Sequence, residues 1–181
     1  MKKLLMATAA TALMAGTAFA GGHGKEVKIG VILGFTGPLE SITPAMGAGA
    51  EMAMAEVTAS GMLLDAAKVI SVRADSTCID AGAATAAAER LVTSDKVDGI
   101  MGADCSGVTG AILANVARAN GIVMISPSAT SPGLSTAEDD GLFFRTAPSD
   151  ARQGVIITNI LQDRGVKEVA LSYTNNEYGK G

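Results

Sequence analysis

Short apolar stretches of strand length alternate with segments of helical periodicity along almost the whole chain, and few architectures satisfy that alternation. Val27, Ile29, Val31 and Leu33 recur at every second residue, which is strand periodicity. Gly34-Phe35-Thr36-Gly37-Pro38 breaks the strand, and an Ala- and Met-rich helix is expected over 43–59, with Gly61 at its C-terminal cap. A second strand is expected over 69–74. Asp80 can cap the next helix, which places Ala84, Ala87, Ala88, Leu91 and Val92 on one face at i, i+3, i+4, i+7 and i+8. A third strand over 97–103 leads to a helix opened by Ser106 or Gly107 and ended by Gly121. The continuous apolar run 122–125 predicts a fourth strand buried on both faces. A short strand over 142–145 follows. Asp150 and Gln153, spaced as a capping box, open a helix to about 164, and a last strand is expected over 166–173. Strands alternating with short helices predict an α/β fold with a doubly wound, mostly parallel sheet and helices on both faces.

The first residues point to export. Lys2 and Lys3 precede an apolar, Ala- and Thr-rich stretch over 4–17, and Ala18-Phe19-Ala20 carries small residues where a signal peptidase reads. Cleavage after Ala20 is expected. The stretch falls short of the roughly 18–20 residues of a membrane span. Gly21 rather than Cys follows, so no lipid-acceptor cysteine is in place. Loss of both lysines takes the net charge from −4 to about −6, and a basic nucleic-acid footprint is absent. Residues 21–26 read as a flexible mature N-terminus. Cys78 and Cys105, an even count in an exported chain, read as one disulfide, the alternative being two buried thiols. Such a bridge stabilises by about 3.5 kcal/mol in the chain-entropy picture.

Ligands of open α/β sheets bind outside the carboxyl ends of the strands. Three such ends read as Thr36-Gly37-Pro38-Leu39, Gly102-Ala103-Asp104-Cys105-Ser106-Gly107 and Ser126-Pro127-Ser128-Ala129-Thr130. Ser106 falls where a helix begins, so unpaired N–H groups and the helix dipole favour a carboxylate or phosphate beside its hydroxyl; the alternative is a plain N-cap serine. Ser128 and Thr130 offer hydroxyls and carbonyls, or serve as ordinary turn residues.

Cys78 after the second strand, Cys105-Ser106 after the third, the run from Ile125 to Thr130 after the fourth, Gly37-Pro38-Leu39 after the first and Asn176-Glu177-Tyr178-Gly179 after the last together resemble the leucine/isoleucine/valine-binding proteins of bacterial transport. The resemblance covers 27–181. It implies a type I periplasmic binding fold whose two lobes close on a small ligand and present it to the membrane permease of an ABC transporter. The Ser106 position would bind the ligand α-carboxylate, Thr130 would contact the ligand through its hydroxyl, and Ser128 would offer a carbonyl to the α-ammonium. Tyr178 would close from the second lobe, and Cys78–Cys105 would be the family's disulfide. The implied organisation is a signal peptide over 1–20, a first lobe over 27–145, a crossing over 146–149 stiffened by Pro148, and the start of a second lobe over 150–181. The family's acidic ammonium partner is expected beyond Gly181, the chain reading as the front part of a longer one. Where relatives often carry an aromatic ring after Gly-Pro, this chain has Glu40-Ser41-Ile42. That departure leaves the ligand's side chain open: the resemblance implies a branched-chain amino acid first, with a related small carboxylate or amide as the alternative. The resemblance implies a periplasmic monomer with no cofactor and no nucleic-acid or enzymatic role.

Other features carry less. Gly47-Ala48-Gly49 lacks the third glycine of a dinucleotide fingerprint and lies inside a helix. Met46, Met52, Met54 and Met62 read as core filler rather than metal ligands. His23 is the one histidine, which removes a Ser–His triad and a multi-histidine zinc site. Asp75 and Asp104 read as solvated loop or helix-cap carboxylates, and Arg145 as structural. An exported hydrolase would need a base other than histidine and lacks Gly-x-Ser-x-Gly. A ligand-sensing domain of a signalling receptor would use the same two-lobed fold.

Overall fold

The computed structural model describes residues 26–181; the leader, its cleavage site and His23 lie outside them. Five strands form one sheet in the order β2-β1-β3-β4-β5, every pairing parallel. They are β1 (Glu26–Leu33), β2 (Lys68–Asp75), β3 (Gly99–Gly102), β4 (Met124–Ser126) and β5 (Phe143–Arg145). The α/β doubly wound expectation holds. The register sets Leu33 beside Asp75, Ile32 beside Gly102 and Ser126 beside Arg145, so the carboxyl ends of all five strands share one edge. The strand order reverses direction at β1, between β2 and β3, which is where such sheets open a crevice.

Residue parity assigns the helices to faces. Val72 and Ala74 point into the core with α2 (Ala81–Thr93), while Ser71 and Arg73 point the other way and bind Glu51 of α1 (Thr43–Ser60). Arg73 grips Glu51 with Nε–Oε1 at 2.6 Å and Nη2–Oε2 at 2.7 Å, and lies over the Phe35 ring. Its hydrogen bonds hold the Glu51 carboxyl below the usual carboxylate range. On the opposite face Ala84, Ala88 and Leu91 of α2 pack with Ile32, Ile100, Met124 and Phe143. Ile112 and Val116 complete that core from α3 (Ser106–Ile112), which runs through a π-helical segment, Leu113–Ala117, into a last turn, α4 (Arg118–Asn120). Asp80 caps α2 by accepting from Ala83 N–H at 2.9 Å, and Gly61 and Gly121 end α1 and α4 in the left-handed region, as expected. No helix among the described residues is long and apolar enough to cross a membrane.

Several expectations need correction. β4 is not buried on both faces: Ile125 is 45% exposed and its neighbour Phe144 on β5 is 54% exposed. Among the described residues α1 covers β1 and β2 but leaves that side of β4 and β5 open. The methionines of α1 do not fill a core either. Met52 is exposed, as is Met62 just past the helix, and α1 buries only Thr43 and Gly47. The β3 strand is shorter than its apolar run, because Val97 is spent on the α2–β3 turn, where its N–H donates to Leu91 O. The capping box at Asp150 is replaced by a plain cap: Ser149 accepts from Ala151 N–H, and Asp150 is the first residue of α5 (Asp150–Asp163). Residues 166–173 have strand composition but form no strand, and Leu171 is 88% exposed. A strand is defined by its partner's hydrogen bonds, and no described residue pairs with this segment.

Candidate functional site

Four strand-end loops meet on the carboxyl edge of the sheet. Where β3 ends, Gly102 takes φ 134°, and a Cβ there would lie 2.0 Å from Ile32 O, so only glycine lets the two chains pass. The chain then turns through Ala103 and Asp104 into α3. Cys105 occupies the N-cap position without a side-chain cap bond, and Ser106 is the first helical residue, which corrects the N-cap reading of Ser106. The first N–H returned to the helix is that of Thr109, donating to Cys105 O at 3.0 Å. The N–H groups of Ser106, Gly107 and Val108 are thus left without intrahelical partners, as at any helix start.

Ser106 is 3% exposed, and its hydroxyl oxygen accepts from Ser131 N–H at 3.1 Å, so its proton is left to donate elsewhere. Ser128 donates through Oγ to Asp104 O at 2.9 Å. Thr130 donates through Oγ1 to an Asp150 carboxylate oxygen at 2.7 Å, and its carbonyl accepts from Asp150 N–H at 3.0 Å. Tyr178 stands on a short helical turn, α6 (Glu177–Lys180), capped by Asn176, whose side chain accepts from Gly179 N–H at 2.8 Å. Cys78 and Cys105 are joined as a disulfide, tying the loop after β2 to the start of α3. Across the same edge Asp75 accepts from the Thr36 hydroxyl at 2.6 Å and from Thr77 N–H at 2.8 Å. Burial pushes the Asp75 carboxyl up, but the bonds from Thr36 and Thr77 outweigh it and hold it below the usual range.

These loops line one cavity of about 950 Å³, and Ser106, Ser128, Thr130 and Tyr178 all border it. Leu39, Ile42, Met46 and Ile79 give it an apolar wall, with Ile42 in the stretch that holds no aromatic ring. Sequence reasoning missed two carboxylates. Asp150 borders the cavity and holds Thr130 in place; its signal was position, immediately after Pro148-Ser149 at the end of the strand–helix series. Asp104 was read as solvated, yet it is 2% exposed: its Oδ1 accepts from Gly34 N–H and the Ser76 hydroxyl, both at 3.1 Å. It is the one charged residue in the loop from Gly102 to Gly107, which was the available clue. Arg145 is structural, as expected. Its Nη1 donates to Ser131 O at 2.8 Å and to Ala129 O at 3.2 Å, which braces the loop that carries Thr130. Among the described residues no cluster of His, Cys, Asp and Glu is arranged to hold a metal ion.

A parallel sheet with a polar, disulfide-braced crevice at its reversal point is shared with known proteins. The family model described as periplasmic binding protein matches residues 26–181, so the chain belongs to that family. It is 30% identical over 180 residues to a Leu/Ile/Val-binding protein of Citrobacter freundii, covering 99% of this chain and 47% of that protein. The branched-chain amino acid transporter substrate-binding protein LivJ of Streptococcus pneumoniae, solved with isoleucine, is 34% identical with a TM-score of 0.69, over 77% of this chain and 39% of that one. A solute-binding protein of an ABC transporter from R. palustris, solved with 4-hydroxybenzoate, shares the fold at 20% identity and a TM-score of 0.70, over 86% of this chain and 41% of that one. The chain spans less than half the length of these relatives.

Proposed function

We propose that this chain is the ligand-gripping front part of an exported solute-binding protein, which captures a small amino acid-type ligand without consuming it and delivers it to an ABC transporter permease. The observation that carries this reading is the cavity that the strand-end loops line together, with polar and apolar side chains in its wall. Ser106, with its available hydroxyl proton and the unpaired N–H groups around it, suits a carboxylate. The Ser128 carbonyl, the Thr130 hydroxyl and the Asp150 carboxylate suit an ammonium group. Leu39, Ile42, Met46 and Ile79 suit an aliphatic side chain, and the volume lies within the roughly 300–1,000 Å³ common to small-molecule sites.

In this reading residues 1–20 are a leader cleaved after Ala20. Residues 27–145 form the first lobe, 146–149 the crossing, and 150–181 the beginning of a second lobe that carries Tyr178. The protein works in the periplasm as a monomer, and closure of the lobes is driven by the ligand's better contacts in the closed state. Thermal-shift screening of the full-length protein against amino acids and small carboxylates, followed by calorimetry, tests the reading. Saturable binding without turnover is expected. Ser106→Ala should weaken a carboxylate ligand by about tenfold or more, the cost of a lost charge-assisted hydrogen bond. Chemical conversion of a hit, or unchanged affinity in Ser106→Ala, would overturn it.

A further inference from the structure

The charged residues that border the cavity are unbalanced. They are Asp104, Asp150, Glu177 and Lys180, and the one cation is already bound to Glu177, with Nζ–Oε1 at 2.9 Å. Among the described residues neither Asp104 nor Asp150 belongs to an ion pair. Asp104 is the more consequential of the two. Its Oδ1 is anchored by Gly34 N–H and the Ser76 hydroxyl, but its Oδ2 is buried with no hydrogen-bond partner. A buried group of this kind is screened far less than a surface charge. It lies two residues before Ser106, and its own carbonyl holds the Ser128 hydroxyl.

We propose that Asp104 is a specificity-determining residue, a fixed negative charge beneath the cleft floor that makes the site reject simple carboxylate anions and demand a ligand that brings its own positive charge. The inference rests on the reading of Ser106 as the carboxylate contact. A monoanion seated at Ser106 meets the like charge of Asp104, offset only by the two donors at Oδ1, with Asp150 on the same cavity, whose one cation, Lys180, is paired with Glu177. A zwitterion meets the same repulsion at its carboxylate but recovers it through its ammonium. The fold itself leaves the ligand's charge open, since the related LivJ structure holds isoleucine and the R. palustris structure holds 4-hydroxybenzoate. In this chain the choice falls to the side chains under the floor.

The test is calorimetry on the full-length protein with L-leucine, with 4-methylpentanoate (the same skeleton without the ammonium) and with 4-hydroxybenzoate. The wild type should prefer leucine. Asp104→Asn keeps an oxygen for Gly34 and Ser76 and removes the charge, so the preference for leucine over 4-methylpentanoate should narrow by about tenfold, through a gain by the anion. Ser76→Ala, which loosens the anchor but leaves the charge, should change that ratio by less than about threefold. If Asp104→Asn folds poorly, Asp104→Leu must give the same narrowing. Equal losses for both ligands would reduce Asp104 to a packing role and overturn the proposal. A wild type that prefers either anion would overturn it too, while leaving the solute-binding reading intact. Silence toward every ligand would sink both.

Discussion

Residues 26–145 and residues 150–181 were built from the same kinds of segment and ended in different conditions. In the first region strand and helix periodicities became a sheet with a shared core, in which Leu91, Ile112 and Met124 are fully buried. In the second, α5 formed without burying a single residue, and 166–173 stayed unpaired. A helix satisfies its backbone from within and needs only local propensity and a cap, here Ser149. A strand must borrow its hydrogen bonds from a neighbour. The contrast separates what a segment decides for itself from what its surroundings decide for it.

The sharpest way to break this comparison is to cut side chains in both regions. Leu91→Ala should cost about 3 kcal/mol in denaturant unfolding, as a fully buried leucine does. Ile160→Ala, on the exposed face of α5, should cost less than about 0.5 kcal/mol in a chain ending at Gly181. Extending the chain to the length of its relatives should raise the Ile160 cost several-fold; an unchanged cost would mean that α5 stays solvated. Helix caps give a smaller contrast. Asp80→Ala removes the bond to Ala83 N–H and should lower global stability by about 1 kcal/mol. Ser149→Ala should instead fray α5 locally, visible in hydrogen exchange and absent from the global transition.

The smallest effect concerns acid. The folded Asp75 carboxyl lies below its ordinary value of 3.8, so its stabilisation is fully present above that value and is lost as pH falls through the folded pKa. Asp75→Asn should remove this pH-dependent part, below about 1 kcal/mol, and flatten the acid limb of the stability curve below about pH 4. A parallel shift at every pH would show that the hydrogen bonds to Thr36 and Thr77 act without the charge.

Legibility in the sequence followed the same division. Periodicity revealed β1, α2 and the parallel order because the apolar residues of each meet a covered face. It fails at Ile125, where an apolar run predicts two-sided burial, since covering a face is a property of the next element and not of the run. The loops with Ser106, Ser128 and Thr130 were legible as strand ends, and the structure gathers them at one cavity. The two aspartates were not. Asp104 looks like any loop acid until Gly34 and Ser76, which are distant in sequence, fold onto it, and Asp150 looks like a helix cap until Thr130 reaches it.

The pair of hydrogen bonds between Thr130 and Asp150 has a mechanical implication. It spans the short connection through Pro148 and clasps the first residue of α5 to the end of the sheet. A swing of α5 must therefore drag the Thr130 loop along or release both bonds together, at about 1 kcal/mol or more for each. Such a clasp favours two discrete postures over a continuum of tilts, and both of its residues border the cavity.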